Sequence, residues 1–389
     1  MSADLRYSDT ERALASALAD LLAAQSGWKD VLARTEAGES YDAGLWRAVA
    51  SGVGCAGLLI PEPLGGAGAS YRELATAAEQ FGAFVAPVPY LGSAAVATTA
   101  LLSAAESTVN TPAGSGASAD LLRRMAGGGT TAALAAEFAA SAGSGFPGSL
   151  RLAALRPGDE SAGVARLRGT VRSAADALPA DVLLVPADGV PQGLYLVDGT
   201  APGVHRVPVS SLDMTRQLCD ITLDDAPGRL IVSGEAAARA VEDALAAGAA
   251  ILAAEQLGLA QRCLDMTVGY VKERRQFARP VGSFQAIKHR LADLWVSVTQ
   301  ARAVSRYAAA CLASGDEDTP VAVALAKAYC SEVATHAAEE CVQLHGGIGF
   351  TWEHPAHLYL KRAKAASVAF GTAGAHRSAL ASLASIAPP

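Results

Sequence analysis

The sequence has little concentrated positive charge and no metal-ligand spacing. Its 31 Lys and Arg against 38 Asp and Glu give a net charge of −7. No Lys/Arg run gathers charge in one place. That argues against nucleic acid as a partner, because phosphate binding depends on dense positive charge. Six cysteines (Cys55, Cys219, Cys263, Cys311, Cys330 and Cys341) are scattered through apolar stretches with no Cys-x-x-Cys pair. The pattern excludes the usual zinc motifs and reads as small buried hydrophobes in a reducing compartment, so a cytoplasmic location is expected. The N-terminal "MSADLRYSDTERALASALADLL" has early acidic residues and no uninterrupted apolar segment, so no secretory signal is expected. No apolar run reaches the roughly 20 residues that span a bilayer. "ALAAGAAILAAEQLGLAQ" comes closest, but Glu255 and the flanking charges make it a buried core helix, and no membrane partner is expected.

What is present is a soluble balance, 51% hydrophobic and 18% charged, over 389 residues. That length can build two or three domains, or one multi-layer unit, around a sizeable core. Residues 1–128 read as helical. "DTERALASALADLLAAQ" repeats apolar residues at three-to-four spacing behind an Asp9 or Thr10 N-cap. "IPEPLGGAGAS" interrupts with prolines and glycines, and "PVPY" and "NTPAGSGAS" read as turns. From 129 to 232 the texture becomes short alternating or β-branched runs, from "TTAALAAEF" to "QLCDITLD", separated by Gly, Pro and Asp. That pattern predicts a small antiparallel β-sandwich or barrel. From 233 to 389 long helical segments return with short turns, the second behind a Ser283 N-cap and the third ending at a Gly pair. Long helices joined this way predict an antiparallel four-helix bundle that also contacts other subunits. The fold class is α+β.

Several residues suit an anionic dinucleotide. Arg274 or Arg275 offers charge for a pyrophosphate, and Phe277 a flat apolar face. Gln285, one turn into a new helix, and Gln343 offer amides. Gly346 and Gly347 remove Cβ atoms so that a ligand can lie against backbone. Taken singly, an Arg pair at a helix end complements the helix dipole, and a Gly pair stops a helix.

The strings that hold these residues carry a resemblance. "ERRQFARPVGSFQAIKHRLADL" and "QLHGGIGFTWEHPAHLYLKRA" resemble two segments of the acyl-CoA dehydrogenase family. "LWRAVASGVGCAGLLIPEPLGGAG" and "SLDMTRQLCDITLDD" are similar to its N-terminal glycine loop and to the end of its β domain. The match runs in order over nearly the whole chain. It implies an N-terminal α-helical domain (1–128), a middle β domain (129–232) and a C-terminal four-helix bundle (233–389). It implies FAD as cofactor, with contacts from Arg274, Phe277, Phe284, Gln285, Gln343, Leu344, His345, Gly346 and Gly347. In the family these bundle residues reach a neighbouring subunit's FAD.

The family's reaction removes an α-proton from an acyl thioester with a carboxylate while hydride leaves for the flavin. In much of the family the base is the Glu of a Glu-Gly-Thr string; here that string is Phe370-Gly371-Thr372. A second branch holds its Glu on the first long bundle helix, at about Gly248 in this chain. No catalytic residue is therefore assigned. The β-domain strings that surround the flavin ring in the family are also changed, while the half-site on the bundle is kept. The resemblance accordingly points to the non-catalytic subunit of an α2β2 heterotetramer, as in steroid side-chain acyl-CoA dehydrogenases. Its partner would be a homologous subunit carrying the Glu, its substrate an acyl-CoA in fatty acid or steroid degradation, and its acceptor an electron-transfer flavoprotein. Three alternatives stand beside this: a self-sufficient homotetramer with a relocated base such as Glu255 or Asp243, a flavin-free scaffold protein of the same fold, and a flavin enzyme with other chemistry.

Overall fold

The structure is a computed structural model that describes residues 4–39, 41–107, 112–153, 164–189 and 192–385. Six helices come first: α1 (Asp9–Gln25), α2 (Trp28–Glu36), α3 (Ala43–Arg47), α4 (Tyr71–Ala83), α5 (Thr98–Ser107) and α6 (Pro112–Ala126). A π-helical turn, Tyr90–Ala97, runs directly into α5 and is buried throughout. The N-cap of α1 is Ser8, not Asp9 or Thr10. The Ser8 hydroxyl accepts the Glu11 N–H, and Glu11 reaches back to the Ser8 N–H, a capping box one residue upstream of the expected cap. "NTPAGSGAS" is also corrected. From Pro112 onward it is the first part of α6, because proline is well placed at a helix start and the small residues behind it do not break the turn.

Seven strands follow: β1 (Ala132–Leu134), β2 (Leu150–Ala153), β3 (Ala165–Ala175), β4 (Val182–Ala187), β5 (Gly193–Asp198), β6 (Val204–Pro208) and β7 (Leu218–Ser233). They pair in the order β1-β4-β5-β7-β3-β2, with β6 also on β7. All neighbours are antiparallel except β1 and β4, which run parallel. The expected wholly antiparallel sheet is corrected to that extent. A bridge between Arg151 and Asp188 brings β2 back beside the end of β4, so the sheet curls toward closure. β7 is the hub. Its first half pairs with β6, its last residues with β5, and β3 runs along most of its length. Two register shifts against β3 and a positive φ at Asp225 let one strand serve both sides.

Five helices complete the chain: α7 (Glu235–Glu273), α8 (Gln285–Ser314), α9 (Thr319–His345), α10 (Ala356–Val368) and α11 (Ala373–Leu383). The first four are the expected long-helix assembly, and α11 is an addition to it. By length and composition α7 could cross a membrane, yet 89% of its most apolar window is buried inside this chain. It crosses α4 at very short range. A Cβ at Gly258 would stand 1.8 Å from the Glu79 carbonyl oxygen, and one at Gly82 would stand 1.9 Å from that of Glu255. The small residues at both crossings let α7 form the central post against which the N-terminal helices and the bundle pack.

Candidate functional site

Two separate regions hold the candidate residues. The first is the end of the bundle where α7 and α9 finish and α8 begins. Arg274 caps α7 in an extended conformation. The chain then makes a two-stranded hairpin, Arg275–Gln276 against Arg279–Pro280. Its turn residues Phe277 and Ala278 both have left-handed φ values, 52° and 63°. The hairpin pushes Phe277 into the open, 87% exposed. Phe277 meets Phe284 edge-on, and the Arg279 guanidinium lies 3.8 Å from the Phe284 ring centre. Gln285 is the first residue of α8 and is exposed; the residue before that helix is Phe284. The expected Ser283 cap is corrected: Ser283 lies in a preceding 3-10 turn, where its hydroxyl donates to the Pro280 carbonyl.

At the end of α9, Gln343 is exposed, Leu344 half-buried and His345 buried. Gly346 ends the helix with φ 63°, a conformation that favours glycine. No heavy atom lies within 4 Å of where a Cβ would stand on Gly346 or Gly347. The Tyr270 ring, one turn before the end of α7, stacks on His345 at 4.4 Å and ties the two segments together. The structure thus gathers Arg274, Phe277, Phe284, Gln285 and 343–347 at one end of the bundle. The surface there is basic and aromatic with open glycine backbone, which fits an anionic dinucleotide. To such a ligand these groups offer charge, a ring face and amide donors.

The second region holds the two positions at which the resemblance looks for a base, Phe370 and Gly248, and they touch. A Cβ on Gly248 would lie 2.7 Å from Cε1 and Cζ of Phe370 and 3.0 Å from Val96. Phe370 is buried, with φ 50°. Its N–H donates to the Phe138 carbonyl at 2.8 Å, and its own carbonyl accepts from His376 Nε2 at 2.7 Å. The Phe138 ring packs edge-on against it at 5.6 Å. Beside Phe370 is a cavity of about 30 Å³, bordered by Gly92, Val96, Leu134, Leu245 and the two phenylalanines. That is room for a water or two, not for an acyl thioester beside a flavin ring. Glu137, which the sequence reading passed over, is the one carboxylate on this lining, and it is exposed.

Behind Phe138 lies a buried charge network that sequence reasoning also missed. Arg216 Nη2 donates to both Glu255 carboxylate oxygens, at 2.7 and 2.6 Å, and Arg362 Nε donates to Oε1 at 2.8 Å. Arg362 Nη1 also meets Thr215 Oγ1 at 3.0 Å and Asp213 Oδ2 at 3.3 Å. Asp176 stands 3.8 Å from Arg216 and accepts the Gly92 N–H at 2.9 Å. The Arg216 guanidinium sits over the Phe138 ring at 5.5 Å. Burial would raise the Glu255 carboxyl, but the two guanidiniums outweigh it and hold it down at about 2. Asp176, buried and hydrogen-bonded to neither arginine, is raised by its burial, which outweighs the pull of Arg216 and Arg362. Glu255 is therefore engaged as a bridging anion. Asp243 accepts from Ser103 at 2.6 Å, and Glu242 from the Gly143 N–H at 2.6 Å; none of the three lines the cavity. These partners come from sites more than thirty residues apart along the chain, which no local pattern announces. Among the described residues no cluster of three or more metal-ligating side chains occurs.

Comparison with known proteins agrees with this architecture. Residues 8–108 match the family model of the acyl-CoA dehydrogenase N-terminal domain, and 238–384 that of the acyl-CoA dehydrogenase C-terminal domain. The chain is 35% identical over 350 residues to acyl-CoA dehydrogenase IpdE2 of Mycobacterium tuberculosis, covering 90% of this chain and 89% of the relative. It is 34% identical over 330 residues to acyl-CoA dehydrogenase FadE34 of the same organism, covering 84% of this chain and 40% of the relative. Among solved structures it is similar to the Tcur3481-Tcur3483 steroid ACAD (30% identity, TM-score 0.81, 97% and 98% of the two chains). It is also similar to the ChsE4-ChsE5 complex from Mycobacterium tuberculosis (25% identity, TM-score 0.84, both chains covered in full). The fold, with a helical N-terminal domain, a central sheet and a helical C-terminal domain, and the identities over most of its length agree: this chain belongs to the acyl-CoA dehydrogenase family.

Proposed function

We propose that this chain is the companion subunit of a mixed acyl-CoA dehydrogenase. It lends its bundle end to the FAD of a homologous partner, and the partner carries the catalytic Glu. The observation that carries this reading is the contact between Phe370 and Gly248. Both places for a base are apolar, and the ring of one fills the space over the other. The cavity left there is too small for the reacting groups, while the basic and aromatic bundle end stands open. The relatives in the ChsE4-ChsE5 complex and the Tcur3481-Tcur3483 steroid ACAD assemble from two different chains, which supports an α2β2 arrangement and a steroid-derived acyl-CoA here. In this complex Arg274 would neutralise the dinucleotide's pyrophosphate. Gly346 and Gly347 would let it approach the backbone, and Phe277 would cover it from water.

The test is to purify the chain alone and co-expressed with a homologue that retains the Glu, measuring flavin absorbance per chain and mass. Expected is a flavin-free lone chain and a heterotetramer with one FAD per pair of unlike chains, from which Arg274→Ala removes flavin. A yellow homotetramer with one FAD per subunit and turnover with an acyl-CoA would overturn the reading. Glu137, on the cavity rim, would then be the first base to replace.

A further inference from the structure

The 3-10 turn Gly346–Phe350 and the chain that follows it to the start of α10 carry the open glycine backbone of the bundle end. Three histidines hold this segment down. His345, the last residue of α9, is buried between the Tyr270 ring at 4.4 Å and the His354 ring at 4.1 Å. His345 Nδ1 donates to the Cys341 carbonyl at 2.6 Å, so that nitrogen carries its proton. His354 Nδ1 does the opposite. It accepts the Ala356 N–H, the first amide of α10, at 3.3 Å, and it must be unprotonated to do so. His357, in the first turn of α10, packs edge-on against Trp352 at 4.6 Å. Both its ring nitrogens are buried without a hydrogen-bond partner among the described residues. Lys361, one turn on, lies 4.3 Å from the Trp352 ring centre.

The surroundings of His354 and His357 disfavour positive charge. The stack sets one imidazole over another, and the N-terminus of α10 turns the positive end of its dipole toward both. The titratable groups around them are Tyr270 from α7, Cys341 and His345 from α9, and Lys361 from α10. The one carboxylate of the segment, Glu353, is exposed. We infer that His345, His354 and His357 form a proton-operated latch: neutral His354 and His357 hold residues 346–355 against the bundle, and their protonation opens the segment. Burial, with His345 and His357 beside it, lowers His354 from the ordinary 6.5 to about 4, and burial with Lys361 lowers His357 to about 4. For His345 burial works downward, but the contacts with Cys341 outweigh it and raise the imidazole. An open segment takes up the two protons near 6.5 and the closed one only near 4. Opening therefore becomes easier as pH falls through that window, by roughly tenfold per histidine per pH unit. The raised His345 contributes its stabilisation in full below 6.5 and does not oppose the change. Because Gly346 and Gly347 head the segment, opening would also loosen a bound dinucleotide; that consequence rests on the half-site reading above, whereas the latch does not.

The experiment measures amide hydrogen exchange of the full chain by mass from pH 6.5 down to about 5, corrected for the intrinsic pH dependence of exchange, with histidine NMR over the same range. That range lies above the ordinary 4.5 of Glu255, so the buried charge network stays intact. Expected is a loss of protection in peptides spanning 346–358, roughly tenfold or more per pH unit, while central α7 stays protected and His354 and His357 titrate below 6.5. In the double variant His354→Asn, His357→Gln neither side chain titrates, and the Asn oxygen can still accept the Ala356 N–H; it should keep its protection throughout. Unchanged protection of 346–358 in the wild type, or an equal loss in the double variant, overturns the inference. The wild-type exchange decides even where the variant fails to fold. It needs no flavin, so its failure is distinct from failure of the companion reading.

Discussion

Replacing Glu255 with Gln separates a structural anion from a displaced base. Glu255 is buried and accepts from two guanidiniums that have few other anionic partners: Arg362 also reaches Asp213 at 3.3 Å, and Arg216 reaches Asp176 only at 3.8 Å. Removing one member of a buried ion pair costs about 3–5 kcal/mol, because the remaining charge is stranded. Gln keeps one acceptor oxygen, so Glu255→Gln should fall near the lower end, about 3 kcal/mol. A domain's whole stability is about 5–15 kcal/mol, so the urea midpoint must drop visibly. Glu339, paired with Lys364 at 2.7 Å with both side chains about half exposed, is the control. Its Gln variant should lose under about 1 kcal/mol.

The same argument gives a pH window. The folded carboxyl at about 2 lies below its ordinary 4.5. The unfolded chain therefore binds more protons between those values, and stability falls as pH drops from about 4.5 toward 2. The contribution at neutral pH is about 3 kcal/mol, and it should be missing from the acid limb of the Glu255→Gln curve. Equal urea midpoints for wild type and Glu255→Gln, together with lost acyl-CoA turnover in a competent complex, would refute this account and make Glu255 a base.

Three further outcomes are expected. Gly248→Ala should cost about 1–3 kcal/mol by overpacking against Phe370, and Phe370→Ala about 3–5 by emptying its site; the double variant should cost less than the two together, and additive urea midpoints would deny the contact. Ala278→Gly should raise the melting temperature by relieving about 1 kcal/mol of left-handed strain, and an unchanged or lower value would show the turn to be unstrained. Lys327, fully buried against Ser331 Oγ and the Ala366 carbonyl, is lowered by desolvation from 10.5 to about 8; the unfolded chain binds more protons between these values, so stability should rise as pH goes from 8 to 10.5, and Lys327→Met should flatten that rise in a urea series.

The long helices were legible because apolar residues at three-to-four spacing over thirty or more residues leave few alternatives, as α7 and α8 illustrate. β7 was legible only in its first half. Pro227 and Gly228 look like a strand end, but Pro227 sits between two register shifts where the strand passes from one set of neighbours to another. Local rules also misplaced two caps, by one residue each, since a serine just upstream or a preceding 3-10 turn can take over the end of a helix. The bundle-end residues were legible as a set because they lie in two compact strings. Leaving Phe370 and Gly248 unassigned followed from their residue types, but the contact between them did not, because 122 positions of chain separate two residues that the fold sets against each other.

On the companion reading, that contact changes what the absence of a base at Phe370 means physically. Had Phe370 merely taken the place of a carboxylate, a hole large enough for a substrate would be expected beside it, and one substitution would restore a site. Instead the ring is seated against Gly248 and Phe138. Phe138 is seated in turn against Arg216, and Arg216 is fixed by Glu255, which Arg362 also holds. Opening the site would require moving an aromatic pair together with a buried network of paired charges, which is a concerted and costly change. On the companion reading, restoring a carboxylate at Phe370 alone therefore gives no turnover. The assay is acyl-CoA oxidation by Phe370→Glu purified without a partner, and measurable activity would show that the space is far less closed than its packing implies.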